Sequence, residues 1–288
     1  MRRATYASVS VAAVLILVKA VAYFLTDSVA LLSSLIDSML DTAASVANLI
    51  AIRQALTPAD QEHRFGHGKA EALAGLGQSA FIAGSSLFLV FEAVHRLLDP
   101  ARLHNGGIGI IVMVFSVVVT LALVQFQRRV TRATGSLAIG ADLLHYVGDL
   151  LVNGSVIVAI LIATELDWPI VDPIFAIAIA AYIVTSAWQI ARRALDQLMD
   201  RELPDEARER IKRIALAHPD VAALHDLRTR ASGPNRFIQV HLEMRPEMRL
   251  VRAHAIADEV EAALREAFPG AEVIIHQDPA GLEEAQPI

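Results

Sequence analysis

The chain has 288 residues, 55% of them hydrophobic, with a mean hydropathy of +0.47 and a formal net charge of −6. It is too apolar for an ordinary soluble domain, and an acidic balance without a basic cluster excludes a nucleic-acid-binding module. Cysteine is absent, so no disulfide staples the fold and any metal must be held by oxygen and nitrogen.

Apolar runs of spanning length, about 20 residues each, occur at roughly 7–25, 29–52, 72–98, 107–127, 137–163 and 170–190. They predict six transmembrane helices. The opening Met-Arg-Arg and the apolar run after it have the look of a signal peptide. No small-residue cleavage site follows, and the run reaches Leu25, so it is read as the first span. Arg2, Arg3, Arg53, Arg64, Lys69, Arg128, Arg129, Arg132, Arg192 and Arg193 all fall on one side of the predicted spans. The positive-inside rule makes that side cytoplasmic, with both termini. Lys19, inside the first helix near its outer end, reads as a snorkelling lysine.

From about Asp200 charges become frequent and the long apolar runs stop. The boundary is set there, with a membrane domain over 1–199 and a second domain over 200–288. "LPDEARERIKRIALAH" is an amphipathic helix, with Pro204 and Asp205 as start signals. "ALHDLRTRASG" and "NRFIQVHLEM" alternate apolar and polar residues across Ser-Gly-Pro-Asn, a hairpin. "VRAHAIADEVEAALREAF" is a second helix stopped by Pro269-Gly270, and "AEVIIHQD" is a third strand. The order αββαβ predicts an α+β domain with its helices on one face of the sheet.

Three constellations stand out. Asp37 and Asp41 lie four residues apart in the second span, on one helix face. An Asp at a membrane centre costs about 2.5–3.5 kcal/mol on insertion scales, so two of them need a reason. The fifth span carries a matching pair, His145 and Asp149. Either pair alone could be interhelical hydrogen-bonding glue or a proton relay. Together, three carboxylates and one imidazole make a tetrahedral shell for a divalent metal such as zinc. Ser33, Ser34, Ser38, Ala43 and Ala44 are small enough to let the fifth helix approach. Gly148, directly before Asp149, is expected to loosen the helix there. The second constellation, Asp60, His63 and His67 in "DQEHRFGHGK", packs three ligand types into eight residues, with Gly66 and Gly68 to bend the chain. It reads equally as a metal site or a solvated loop. The third is His225, His241, His254, His276 and Asp278, on the hairpin, the second helix and the last strand. Seven of the 10 histidines fall in these sets, which weighs against a chance scatter over a polar sheet face. No phosphate-binding Gly-rich loop or nucleophile elbow is present, so nothing points to ATP or to an enzyme.

The segments "LIDSMLD", "FGHGKAE", "ADLLHY", "LPDE", "HDLRTRASGP", "IQVHLEM" and "IIHQDP" together resemble the cation diffusion facilitators over nearly the whole chain. The resemblance implies a homodimeric zinc/proton antiporter in the inner membrane, working by alternating access, with a metallochaperone-like cytoplasmic domain. Cadmium, iron(II) or another divalent ion could replace zinc as cargo. Asp37, Asp41, His145 and Asp149 would form the transport site. Asp60, His63 and His67 would form a loop zinc site. His225, His241, His254, His276 and Asp278 would form a binuclear site, bridged by Asp278. Lys69 and Asp200 would form a charge interlock at the dimer interface, and Leu144 an apolar gate. Two other classes fit part of the pattern. An organic-cation exporter would want a wide, aromatic-lined pocket, and the sequence is poor in aromatics where the acids lie; a membrane-anchored metal sensor would carry the sites without moving ions.

Overall fold

The structure is a computed structural model that describes residues 1–26, 29–98, 107–166 and 171–281. It divides into two compact units, Met1–Leu195 and Asp196–Ile288.

The first unit is built from α1 (Arg2–Thr26), α2 (Val29–Ala55), α3 (Lys69–Leu98), α4 (Gly107–Thr134), α5 (Leu137–Leu166) and most of α6 (Val171–Leu198). In lipid every backbone polar group must be bonded internally, which selects helices for these apolar runs. α1, α2, α3, α4 and α6 each hold a stretch long and apolar enough to cross a membrane. α5 has 30 residues, about 45 Å of helix, and carries the polar residues discussed below. Leu17, Phe24, Leu87, Phe88, Phe91 and Ile111 are exposed, as lipid-facing side chains are in a membrane protein.

Several helices outrun their apolar cores. α4 continues through Arg128, Arg129 and Arg132, where the sequence predicts a connection, because arginine is a good helix former and need not be buried. It stops where Gly135 takes φ 66, and the Ser136 hydroxyl accepts the Ile139 N–H to open α5. α2 stops two residues before Thr57-Pro58, where proline cannot continue a helix. Residues 27–28, 99–106 and 167–170, where outer connections are predicted, lie outside the described residues.

The second unit has the predicted order: α7 (Asp205–Leu216), β1 (Ala223–Ser232), β2 (Asn235–Met244), α8 (Leu250–Ala267) and β3 (Ala271–Pro279). β1 and β2 form an antiparallel hairpin, and β2 and β3 pair in parallel across the α8 crossover, giving sheet order β1-β2-β3. The hairpin turns at Gly233, whose φ of 58 suits the first position of a type II′ turn and is strained for other residues. Ile238, Val240, Leu242 and Met244 point to one face and pack with Ile211, Ile256, Val260 and Leu264 of the two helices. The alternate residues of β2, including His241 and Glu243, therefore lie on the opposite face of the sheet.

Candidate metal centres

In the membrane unit, α2 and α5 meet through polar side chains. His145 Nε2 lies 2.8 Å from Asp41 Oδ1 and 3.8 Å from Asp149 Oδ2. One ligand atom from each of the three lies within 4.8 Å of the others. His145 is buried, and Phe81 and Tyr146 place their rings against it. Asp37 is exposed one turn before Asp41 and stands outside this triad. It lines, with Asp41 and Asp149, two cavities of ≈ 180 and ≈ 300 Å³. The i,i+4 spacing thus aims both carboxylates at one space, and the packing of α5 decides which of them touches the imidazole.

Lys19 does not snorkel outward. Its ammonium donates to Ser34 O at 3.2 Å and to Ser38 Oγ at 2.7 Å, beside the cavity that Asp37, Asp41 and Asp149 line. An ammonium with two acceptors and three carboxylates nearby has a better place than the bilayer surface. The Ser38 hydroxyl therefore ties α2 to α1. Leu144 is buried in an apolar cluster with Ile82 of α3 and with Ile183 and Ala187 of α6, directly beside His145. Gly148 lies within the helix, and a Cβ there would come 2.9 Å from Ile183 Cδ1. The missing side chain leaves room for Ile183 of α6 next to Asp149.

The loop residues also converge. Asp60 lies 3.5 Å from His63 Nδ1 and 3.3 Å from His67 Nε2, and the two imidazole centroids are 4.5 Å apart. Gly66, at φ 76, makes the turn that brings His67 back. Gly68 needs no such conformation. The backbone N–H groups of His63 and Glu62 donate to Asp60 Oδ1 and hold its carboxyl below the usual range, so it stays an anion. His67 is largely buried, with its Nε2 turned to Asp60 and its Nδ1 without a hydrogen-bond partner.

In the second unit the strand register does the work. His225 pairs with His241, and His241 with His276, so three imidazoles stand side by side on the face away from the helices. Asp278, buried at the edge of the row, meets all three: 2.8 Å from His241 Nδ1, 3.0 Å from His276 Nε2 and 3.5 Å from His225 Nε2. One ligand atom each of His225, His241 and Asp278 lies within 4.8 Å of the others, a donor set that fits borderline metals such as zinc, and His276 adjoins it through Asp278 Oδ1. His254 does not join it among the described residues. It is 69% exposed on the second turn of α8 and faces Asp258 at 3.6 Å.

Two sequence profiles match the chain: the cation efflux transmembrane domain over residues 5–199, and the cytoplasmic domain of cation efflux proteins over 203–280. The chain belongs to the cation efflux family. The cation-efflux pump FieF of Klebsiella pneumoniae is 48% identical over 283 residues, covering 98% of this chain and 94% of that one. FieF of Escherichia fergusonii is 46% identical over 280 residues, covering 97% and 93%. Two solved structures of shorter chains also match. The zinc form of the putative zinc transporter CzrB is 38% identical over 30% of this chain and 99% of its own, with a TM-score of 0.28. The metal-bound C-terminal domain of the CzcD transporter from Thermotoga maritima is 25% identical over 27% and 93%, with a TM-score of 0.27.

As a cation efflux protein this chain is a multi-pass membrane transporter of divalent cations, and the metal ion is its substrate. The two interlock candidates lie in different units. Lys69 opens α3, and Asp200, at φ 55, accepts from Arg230 Nη1 at 3.3 Å. Sequence reading missed two acids of the cytoplasmic cluster. Glu243 Oε1 lies 3.1 Å from His225 Nδ1, and Asp226 Oδ2 lies 3.8 Å from His241 Nε2. Glu243, two residues from His241, was findable by strand period. Asp226 was not, because a β-bulge between His225 and Arg228, with Asp226 at φ 44, turns it out of alternation. The Arg228 guanidinium beside Asp226 holds its carboxyl below the usual range.

Proposed function

We propose that this protein exports zinc, or a similar ion such as cadmium or iron(II), from the cytoplasm in exchange for protons. It would work by alternating access, as a homodimer in the cell's inner membrane with both termini cytoplasmic and α5 as a sixth span. One observation carries the reading: Asp41, His145 and Asp149 converge beside cavities that Asp37 also lines. A divalent ion is the species that makes three acids gathered within membrane-spanning helices favourable. Binding it requires a neutral imidazole and ionised carboxylates, so loading releases protons, and protons arriving from the far side compete for the same ligands. Oxygen-rich ligation without thiolate suits a site that must let go.

Leu144, packed between α3 and α6 beside His145, would act as an apolar gate. Asp60, His63 and His67 would hold a resident ion in the loop. His225, His241, His276 and Asp278 would hold one or two at the sheet, with Glu243 and Asp226 adjoining. His254, paired with Asp258, is left out of that set. Lys69 and Asp200 would pair where two copies meet. Ion binding to the cytoplasmic domain would bias the transport unit through a coupling free energy.

The test is zinc flux into proteoliposomes under an imposed pH gradient. Asp41→Ala should abolish it while the protein still folds and inserts. Normal flux in that variant would refute the site, and wild-type flux indifferent to the pH gradient would refute the exchange.

A further inference from the structure

A second buried acid lies outside the transport triad. Asp142, on α5 one turn before His145, is 1% exposed. Side chains from four other helices donate to it. Ser8 Oγ of α1 reaches Oδ2 at 2.6 Å, and Gln127 Nε2 of α4 reaches the same oxygen at 2.5 Å. Gln78 Nε2 of α3 and Ser45 Oγ of α2 reach Oδ1 at 3.2 and 3.4 Å. None of the four carries a charge. Ser45 Oγ also lies 3.0 Å from the Tyr146 hydroxyl, and Tyr146 lines the ≈ 180 Å³ cavity with Asp37, Asp41 and Asp149. The titratable groups around Asp142 are His145 and Tyr146 on its own helix and Asp41 one turn along α2. α1, α3 and α4 face it with the uncharged Ser8, Gln78 and Gln127.

The surroundings satisfy this carboxyl whether it is ionised or protonated. Ionised, it accepts from all four donors. Protonated, it needs an acceptor, and three are at hand. The Ser8 hydroxyl also lies 3.1 Å from Ala4 O and can turn there; its oxygen already accepts from Gln127 Nε2 at 2.7 Å and keeps a second lone pair for Asp142. The Gln78 and Gln127 side-chain oxygens are buried with no donor at all, so either amide can present its other end. Orphaned acceptors around a buried acid are unfavourable unless a further proton is accommodated.

We propose that Asp142 is a proton-binding site separate from the metal ligands, loaded when the ion leaves and emptied when the ion arrives one helical turn away. The inference rests on the exchange reading above. The relay balances. A proton from the cavity joins the Tyr146 oxygen, the proton of Tyr146 passes to Ser45, and that of Ser45 passes to Asp142 Oδ1. Three O–H bonds form and three break, and neither hydroxyl keeps a charge. A doubly charged ion near His145 favours the ionised carboxyl and reverses the transfer.

The test uses the reconstituted full-length protein, zinc as the ion, and voltage held at zero with potassium and valinomycin. Asp142→Asn, which keeps the shape of the protonated acid, should lower the protons moved per zinc by one. The zinc gradient sustained would then fall about tenfold per unit of imposed pH difference. Asp142→Glu should restore both. An unchanged ratio in Asp142→Asn overturns the proposal, even if the rate falls. A wild-type protein that moves zinc without protons overturns the exchange reading first, and this one with it. If Asp142→Asn does not assemble, infrared difference spectra on zinc addition decide. A protonated-carboxyl band lost on binding, and shifted by Gln127→Leu, supports the site; no band sensitive to Gln127→Leu overturns it.

Discussion

Asp278→Asn tests the cytoplasmic cluster without removing volume. Among the described residues Asp278 is the one carboxylate within 3.5 Å of three imidazoles, so losing its charge should weaken every metal ion held there. An ion that binds only the folded domain stabilises it by about 2.7 kcal/mol when present at 100 times its Kd. The unit Asp196–Ile288 has its own apolar core, closed by α7 and α8 over the sheet, and should fold alone. For a domain of that size, about 4–8 °C of Tm accompanies each kcal/mol. One filled site should therefore raise Tm by about 10–20 °C. Scanning calorimetry of the isolated cytoplasmic domain, with zinc against chelator, reads this directly. Asp278→Asn should lose most of the rise. The rise should also shrink in acid, because protons compete with a metal ion for its ligands. A rise of equal size in the variant would show that the metal binds elsewhere and that the three-imidazole cluster is not a site.

Two further outcomes follow from packing and charge. Gly148→Leu should press on Ile183 and separate α5 from α6, costing about 1–3 kcal/mol and most of the flux. Ile183→Ala in the same chain should recover part of it, measured as zinc uptake by proteoliposomes. In the cytoplasmic domain, Arg252 bonded to Asp220, and His218 bonded to Glu259, hold those two carboxyls below their usual ranges. Depressed folded pKa values contribute stability that is present above the ordinary carboxylate range and lost as pH falls through the folded values. The domain should thus lose stability below about pH 4, and Asp220→Asn should flatten that loss in urea titrations taken from pH 5 to pH 2.

The sequence by itself determined the local facts. Four-residue spacing put Asp37 with Asp41, and His145 with Asp149, on single helix faces, because 3.6 residues make a turn. Alternation in "NRFIQVHLEM" assigned Val240 and Leu242 to the core and His241 to the other face, because strand side chains alternate. Run length and the change of composition near Asp200 separated the lipid-facing part from the α+β part. Tertiary structure decided what meets what. It joined Asp41 but not Asp37 to His145, turned Lys19 toward α2, left His254 on the surface of α8, and brought Asp226 in through a bulge. It also built the surroundings of Asp142. His145 and Tyr146 lie at helical spacing from it on α5, but that spacing says nothing of its hydrogen-bond donors. Its donors, Ser8, Ser45, Gln78 and Gln127, come from four other helices and become neighbours only when the bundle packs. Periodicity reports the face of one element, whereas a shared proton or metal depends on several faces closing on one point.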